Sequence, residues 1–245
     1  MTILKAPLAG GSPLLTRLSR LTRLDDMAVE ALQTAARDVR RSPPRRELIS
    51  EGEPIRERYA LLAGWACRQR ILSDGRRQIL SFLLPGDLIG VCQHSNPLAA
   101  TTIIAISELV TCPAPVADPG SALAEAYARS AALEERYMLA HITRLGRFDA
   151  RERLADWLLE TQQRLATTGL SVADQFPLPL TQEMLADALG LTSVHVNRTL
   201  QAMRRDGLLI LRQGMAFLPD RDQLEKLVEY KPARVSAGGE NYATP

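Results

Sequence analysis

Cysteine is scarce in this chain: there are three, Cys67, Cys92 and Cys112, in 245 residues. An odd number at wide spacing excludes a disulfide framework and points to reduced thiols in a cytosolic protein. Long apolar runs are missing as well. None reaches membrane-spanning length, and the opening MTILKAPLAGGSP lacks the charged-then-apolar order of a secretory signal. A cytoplasmic protein with no membrane partner is therefore expected. Excess charge of either sign is small, since 30 basic side chains against 28 acidic ones leave a net +2 and a pI near 8.5. Affinity for a polyanion would have to come from a local patch. With 46% hydrophobic residues, the length allows two domains with modest cores.

What is present is concentrated in residues 180–218, LTQEMLADALGLTSVHVNRTLQAMRRDGLLILRQGMAFL. Thr181 stands where an N-cap hydroxyl is wanted, and Glu183, Met184, Leu185, Ala186 and Leu189 supply a helix with one apolar face. Gly190 permits a sharp turn, after which Thr192 caps a second helix. Val196, Leu200 and Met203 fall at i, i+4 and i+7 and should face the first helix. That leaves Ser193, Val194, His195, Asn197, Arg198 and Gln201 on the outside. Asp206-Gly207 ends the second helix, residues 208–211 and 215–218 read as strands, and Arg212-Gln213-Gly214 forms a wing tip. Four arginines, Arg198, Arg204, Arg205 and Arg212, face one acid, Asp206, between positions 197 and 212. Two short helices at a glycine turn followed by a hairpin form a winged helix-turn-helix, a module that reads DNA. The competing reading is a helical hairpin with a solvated basic face.

The front half has another grammar. A helical segment over 22–39 is followed by RRSPPRR, a break, and from Glu47 onward short strands are punctuated by Gly, Pro and Asp. Residues 59–62 read as a strand; Trp65, Cys67, Gln69 and Ile71 alternate with Ala66, Arg68, Arg70 and Leu72; Asp74-Gly75 makes a hairpin turn, and 78–84 returns. Strands at this spacing suggest a β-roll or small barrel. From 122 to 145 there is no proline or glycine, and Leu133, Tyr137 and Ala140, with Met138, Ile142 and Leu145 alongside, give an apolar stripe. It is read as a dimer helix with a face made by Leu133, Tyr137, Ala140, Ile142 and Leu145; packing on its own domain is the alternative. Gly146 marks a joint before a further helix over 149–165. The expected α+β chain divides into a tail (1–14), a roll (15–117), the long helix (118–147), the DNA-binding domain (148–222) and a second tail (223–245), both tails being disordered.

GEP at 52–54, LLAGWACRQRILSDGRRQILSFLLPGDLIG at 61–90, the long helix and LTQEMLADALGLTSVHVNRTLQAMRRDGLL at 180–209 together resemble the Crp/Fnr superfamily of bacterial transcription regulators. The resemblance spans about residues 15–222 and implies a cyclic-nucleotide-binding-like roll. It also implies a homodimer on palindromic promoter sites in double-stranded DNA, and contact with RNA polymerase. By position, Thr181 and Thr192 would touch phosphates, Gln182 also belongs to the expected DNA-binding residues, and Arg212 at the wing tip is able to meet a phosphate. Ser193, Val194, Asn197 and Arg198 would face bases, with His195 beside them toward the backbone. Arg198 matches a base-reading arginine, and a bidentate contact to guanine is worth about 1–3 kcal/mol of discrimination. Val194 departs from the many relatives with an acidic residue there, and could touch only a thymine methyl.

The resemblance also frames the question of a signal. Cyclic-nucleotide binders of this fold hold the phosphate with an arginine and the ribose with a glutamate just after the segment matching GDLIG. Here Val91 follows Gly90, and no Arg or Lys occurs from 78 to 128, so cyclic AMP is not expected. Oxygen-sensing relatives hold an iron–sulfur cluster with four cysteines, three near the N-terminus. Three in all, none before Cys67, exclude an intramolecular Cys₄ cluster. Cys92-Gln93-His94-Ser95 resembles the cysteine and histidine pair of a carbon-monoxide-sensing haem relative, though two residues farther from the preceding Gly-Asp, so haem at Cys92 and His94 stays open beside a loop histidine and a partly buried thiol. Cys92 or Cys112 could instead be a redox-sensitive thiol. The strand segment looks most like the nitrogen-fixation and stress-response branch, and a regulator with no cofactor, or an unknown one, is the expectation. No metal role falls to His141 or His195. An enzyme of cupin type would need several histidines in the roll, which holds only His94, so no enzymatic activity is expected. A regulatory subunit making protein contacts alone, with a vestigial DNA module, is the remaining alternative.

Overall fold

A computed structural model of the chain describes residues 12–91 and 96–235. Among the described residues the order begins with helices α1 (Pro13–Leu21) and α2 (Asp26–Ala35). Eight short strands follow: β1 (Arg40–Ser42), β2 (Glu47–Ile49), β3 (Tyr59–Ala63), β4 (Ala66–Ile71), β5 (Arg77–Leu83), β6 (Leu88–Ile89), β7 (Thr102–Ala105) and β8 (Leu109–Pro113). Then come α3 (Ala122–Arg147), α4 (Ala150–Thr167), β9 (Gln175–Pro177), α5 (Gln182–Leu189), α6 (Ser193–Arg205), β10 (Ile210–Arg212), β11 (Met215–Phe217) and α7 (Arg221–Val228). This is an α+β fold of roll, long helix and winged helix-turn-helix.

The roll is two four-stranded antiparallel sheets, ordered β1-β8-β3-β6 and β2-β7-β4-β5. Leu61, Ala66, Leu83, Ile89, Ile103, Ala105 and Leu109 fill the space between them. The alternation along 65–71 has the expected consequence that Ala66 turns into the roll while Trp65 and Cys67 turn outward. Outside the first sheet, Leu14, Leu18 and Leu32 of α1 and α2 pack with Ala60, Leu62 and Cys112 and with Leu123, Ala126 and Tyr127 at the start of α3. Outside the second sheet, Trp65, Ile79 and Phe82 join a core that runs without a break through Trp157 and Leu158 of α4 into Leu185, Leu189, Val196, Leu200 and Met203. Phe82 and Trp157 meet edge to face, centroids 5.4 Å apart. The helix-turn-helix module thus shares its core with the outer face of the roll.

Three stretches differ from expectation. The single helix over 22–39 is replaced by α1, which starts at Pro13, and by α2, whose separate start is set by Asp25 accepting from the Ala28 N–H at 2.8 Å. The tail expected from 223 is helical through Val228: Asp220 caps α7 and Leu224 is buried against α4. Strand β9, unforeseen, pairs with β11 and completes the wing sheet β10-β11-β9.

Candidate nucleic-acid interface

The two helices of the helix-turn-helix are set locally. Thr181 Oγ1 accepts from the Met184 N–H, and Thr192 Oγ1 from the His195 N–H, each at 3.2 Å, so α5 and α6 both start where the hydroxyls sit. Between them Gly190 adopts φ +63°, and the Leu191 N–H reaches back to the Ala186 carbonyl at 3.1 Å. A side chain at 190 would also press on Leu145 Cδ2 and Arg153 Nη1, at 3.3 and 3.4 Å from the missing Cβ. Val196, Leu200 and Met203 face inward as their spacing required, and Thr199 is buried with them.

Every residue expected at the DNA is exposed: Thr181, Gln182, Thr192, Ser193, Val194, His195, Asn197, Arg198 and Arg212. Val194 is 69% exposed, an apolar side chain held in water on the outer face of α6. Arg198, Arg204, Arg205 and Arg212 make no ion pair with other described residues, so their charge is not neutralised within the chain. Asp206, the one acid nearby, is engaged by Arg151 Nη1 of α4 at 2.5 Å. At the wing, Arg212 pairs with Met215 across a two-residue turn in which Gln213 (φ +52°) and Gly214 (φ +75°) are both left-handed. That turn matches the twist of the flanking strands and presents Arg212 beside its tip.

The dimer face expected on α3 divides. Leu133 is buried in its own protomer, and Tyr137 lies under the guanidinium of Arg164, 4.7 Å from the ring centroid. Ala140 and Leu145 are half-buried, Leu145 lying close to Gly190. The uncovered apolar surface is one face over: Met138 (54% exposed), Leu139 (57%) and Ile142 (65%). Arg164 is the physical reason. It projects from α4 into the interior, and a tyrosine face is a better cover for its charge than water-free hydrocarbon.

Sequence reasoning missed that interior group. Arg164 Nη2 meets Asp87 Oδ2 at 2.7 Å and the Phe82 carbonyl at 3.1 Å, and Arg17 meets Asp87 Oδ1 at 2.8 Å and Glu134 Oε1 at 3.0 Å. Arg144 pairs with Asp156 and Glu160, each at 2.7 Å. The only advance signal was a set of charged residues at core-facing helical positions. Cys92 and His94, the haem pair, lie outside the described residues. Cys67 and Cys112 are buried, and burial pushes both thiols up to about 11. A redox thiol needs access and thiolate character, and Cys112 has neither.

Comparison with known proteins supplies the context. Residues 152–227 match the family model of a Crp-like helix-turn-helix domain, and residues 39–118 that of a cyclic nucleotide-binding domain. The nitrogen fixation regulation protein FixK of Bradyrhizobium diazoefficiens is 32% identical over 185 residues, covering 74% of this chain and 77% of that protein. The chain belongs to the Crp/Fnr family. Another family member, the transcriptional activator protein FnrL of Cereibacter sphaeroides, is 31% identical over 67% of this chain and 69% of its own. The solved structure of FixK2 from Bradyrhizobium japonicum, 29% identical, superposes with a TM-score of 0.67 over 81% of this chain and 98% of that one. As a Crp/Fnr regulator of the FixK and FnrL type, the chain carries its DNA-binding domain in the helix-turn-helix described above. Among the described residues no helix is long and apolar enough to cross a membrane.

Proposed function

We propose that the chain acts as a homodimer on a palindromic promoter site, each protomer laying α6 in a major groove of double-stranded DNA. The observation that carries this reading is the outer face of α6, where Arg198 stands exposed and unpaired beside Ser193, Val194 and Asn197. Thr181 and Gln182 at the start of α5 and Thr192 at the start of α6 sit at helix N-termini, where free N–H groups and the helix dipole favour phosphate. Arg212 at the wing takes a further phosphate. Dimerisation is supported by Met138, Leu139 and Ile142, an apolar stripe on a 26-residue helix. A two-fold protein calls for an inverted repeat in its DNA. RNA polymerase is the further partner expected of a promoter-bound regulator.

The roll does not suit a cyclic nucleotide. No Arg or Lys lies between 78 and 128, Val91 follows Gly90, and Leu61, Leu83, Ile89, Ile103 and Leu109 form an apolar cluster between the sheets. A phosphate there would lose its hydration with no cation from that segment in exchange. The reading is of a cytoplasmic, non-enzymatic regulator with no cofactor or an unknown one, without cyclic AMP or an intramolecular Cys₄ cluster, haem at Cys92 and His94 being the alternative. Selection of bound duplexes from a random pool, with an absorption spectrum of the same sample, tests the DNA and haem readings. An inverted repeat from colourless protein is the expected result. A Soret band would install haem, and a failure to enrich any sequence would count against the DNA reading.

A further inference from the structure

Arg153 of α4 holds two carbonyls that belong to different parts of the molecule. Its Nε donates to the carbonyl of Phe148 at 2.8 Å, and its Nη1 donates to the carbonyl of Leu189 at 2.9 Å, with Gly190 O at 3.5 Å. Phe148 is the C-cap of α3, in extended conformation, and is the joint between the long helix and α4. Leu189 is the last residue of α5, and Gly190 is the turn from which α6 departs. Both carbonyls lie at helix C-termini, where the backbone leaves acceptors unsatisfied and the helix dipole favours a cation. One planar guanidinium therefore fixes the distance and angle between the end of the dimerisation helix and the turn of the reading module. Two neighbours reinforce it: Leu145 of α3 closes on Gly190, and Arg151, two residues before Arg153, holds the C-cap of α6 through Asp206.

We infer that Arg153 is a positioning residue that sets the angle of α6 relative to the long helix, and through it the spacing between half-sites that the dimer accepts. The inference rests on the dimeric, palindrome-reading function proposed above. Each base pair inserted between half-sites moves one of them by about 3.4 Å and about 34° around the duplex. A module held by a rigid fork cannot follow that rotation. A module without the fork is still held by the shared apolar core and by the Arg77–Asp187 pair, but these contacts yield to rotation more readily than two oriented hydrogen bonds at the joint. Lysine, a point charge on a flexible stem, could occupy either carbonyl but not hold both in one geometry.

The test uses the full chain and duplexes carrying the wild-type-selected half-site as an inverted repeat, with the spacer shortened or lengthened by one and two base pairs. Wild type should show a sharp optimum. Arg153→Gln should lose about tenfold at the optimum and little elsewhere, flattening the spacer profile while base preference inside each half-site is unchanged. Arg153→Lys should fall between the two. Should Arg153→Gln fail to fold, Arg153→Lys, with its melting temperature as control, is expected to flatten the profile alone. An equal loss at every spacer, or an unaltered profile, would overturn the positioning role and leave the proposed function standing. Absence of any inverted repeat in the wild-type selection would remove both.

Discussion

Arg198 and Arg212 carry the same charge, yet their surroundings suit them to different work on the proposed DNA site. Arg198 projects from the middle of α6, among the side chains that would reach base edges, whereas Arg212 stands at the tip of a hairpin. Truncating Arg198 to alanine should cost about 1–3 kcal/mol against the preferred base pair and relax selection at that position alone. Truncating Arg212 should weaken binding to all sequences alike and reduce the slope of log K against log salt by about 1. Titrations of a cognate and a single-mismatch duplex at several salt concentrations separate the two. If Arg198→Ala bound the cognate site as well as wild type, α6 would not be the reading element and the protein-contact alternative would gain. Val194 sets the context for such experiments: a 69% exposed valine beside Arg198 can gain only from an apolar contact, which in the major groove means a thymine methyl.

The long helix α3 shows what periodicity can and cannot tell. Its apolar positions are numerous enough to cover two faces, one for the roll and α4 and one for a partner, and spacing alone does not say which is which. In the proposed dimer the partner face is the exposed one, Met138, Leu139 and Ile142, so Ile142→Glu should give a monomer by light scattering, with weakened binding to an inverted repeat. Tyr137→Phe, which keeps the ring under Arg164, should leave the dimer intact; a dimer surviving Ile142→Glu would refute the face. Helices whose start and stop signals are local were legible: Thr181, Gly190 and Thr192 define α5 and α6 within a dozen residues. Asp25 and Asp220 are equally local caps, for α2 and α7, and were passed over because the flanking segments are short and polar enough to read as connection or tail. The inward turn of Tyr137 was of another kind. It depends on Arg164, which is near only after α3 and α4 fold back on each other at Phe148, and no window of sequence contains that contact.

Taken as one body, the chain joins its two domains through charge as well as through apolar packing. Asp87, in the turn between β5 and β6, receives Arg17 from α1 and Arg164 from α4, and Glu134 of α3 receives Arg17 and Arg68. Gly86 lets that turn press on α4, since a Cβ there would stand 2.8 Å from Thr168 Cγ2. Two groups around this cluster make stability depend on pH. Burial pushes His141 down, with Arg144 adding to it, to about 4 from an ordinary 6.5, and its Nε2 is buried without a partner. The unfolded chain therefore takes up a proton at His141 before the folded one does. Its contribution is full above pH 6.5 and erodes as pH falls toward 4, at no more than about 1.4 kcal/mol per pH unit. Burial pushes Glu134 up, but Arg164, Arg17 and Arg68 outweigh it and hold the carboxyl at about 2 against an ordinary 4.5. Its contribution is present above pH 4.5 and is lost as pH falls toward 2. Asp156, raised by burial against the pull of Arg144, titrates in the opposite sense, adding stability as pH falls toward 3.8, where the two stages meet. Denaturant midpoints should thus decline in two steps, and His141→Gln, which keeps an acceptor for Arg144 Nη1, should remove the first step and retain the second. If His141→Gln declined like wild type between pH 6.5 and 4, the charge sensitivity would lie elsewhere in the cluster, and the orphaned imidazole would have no part in it.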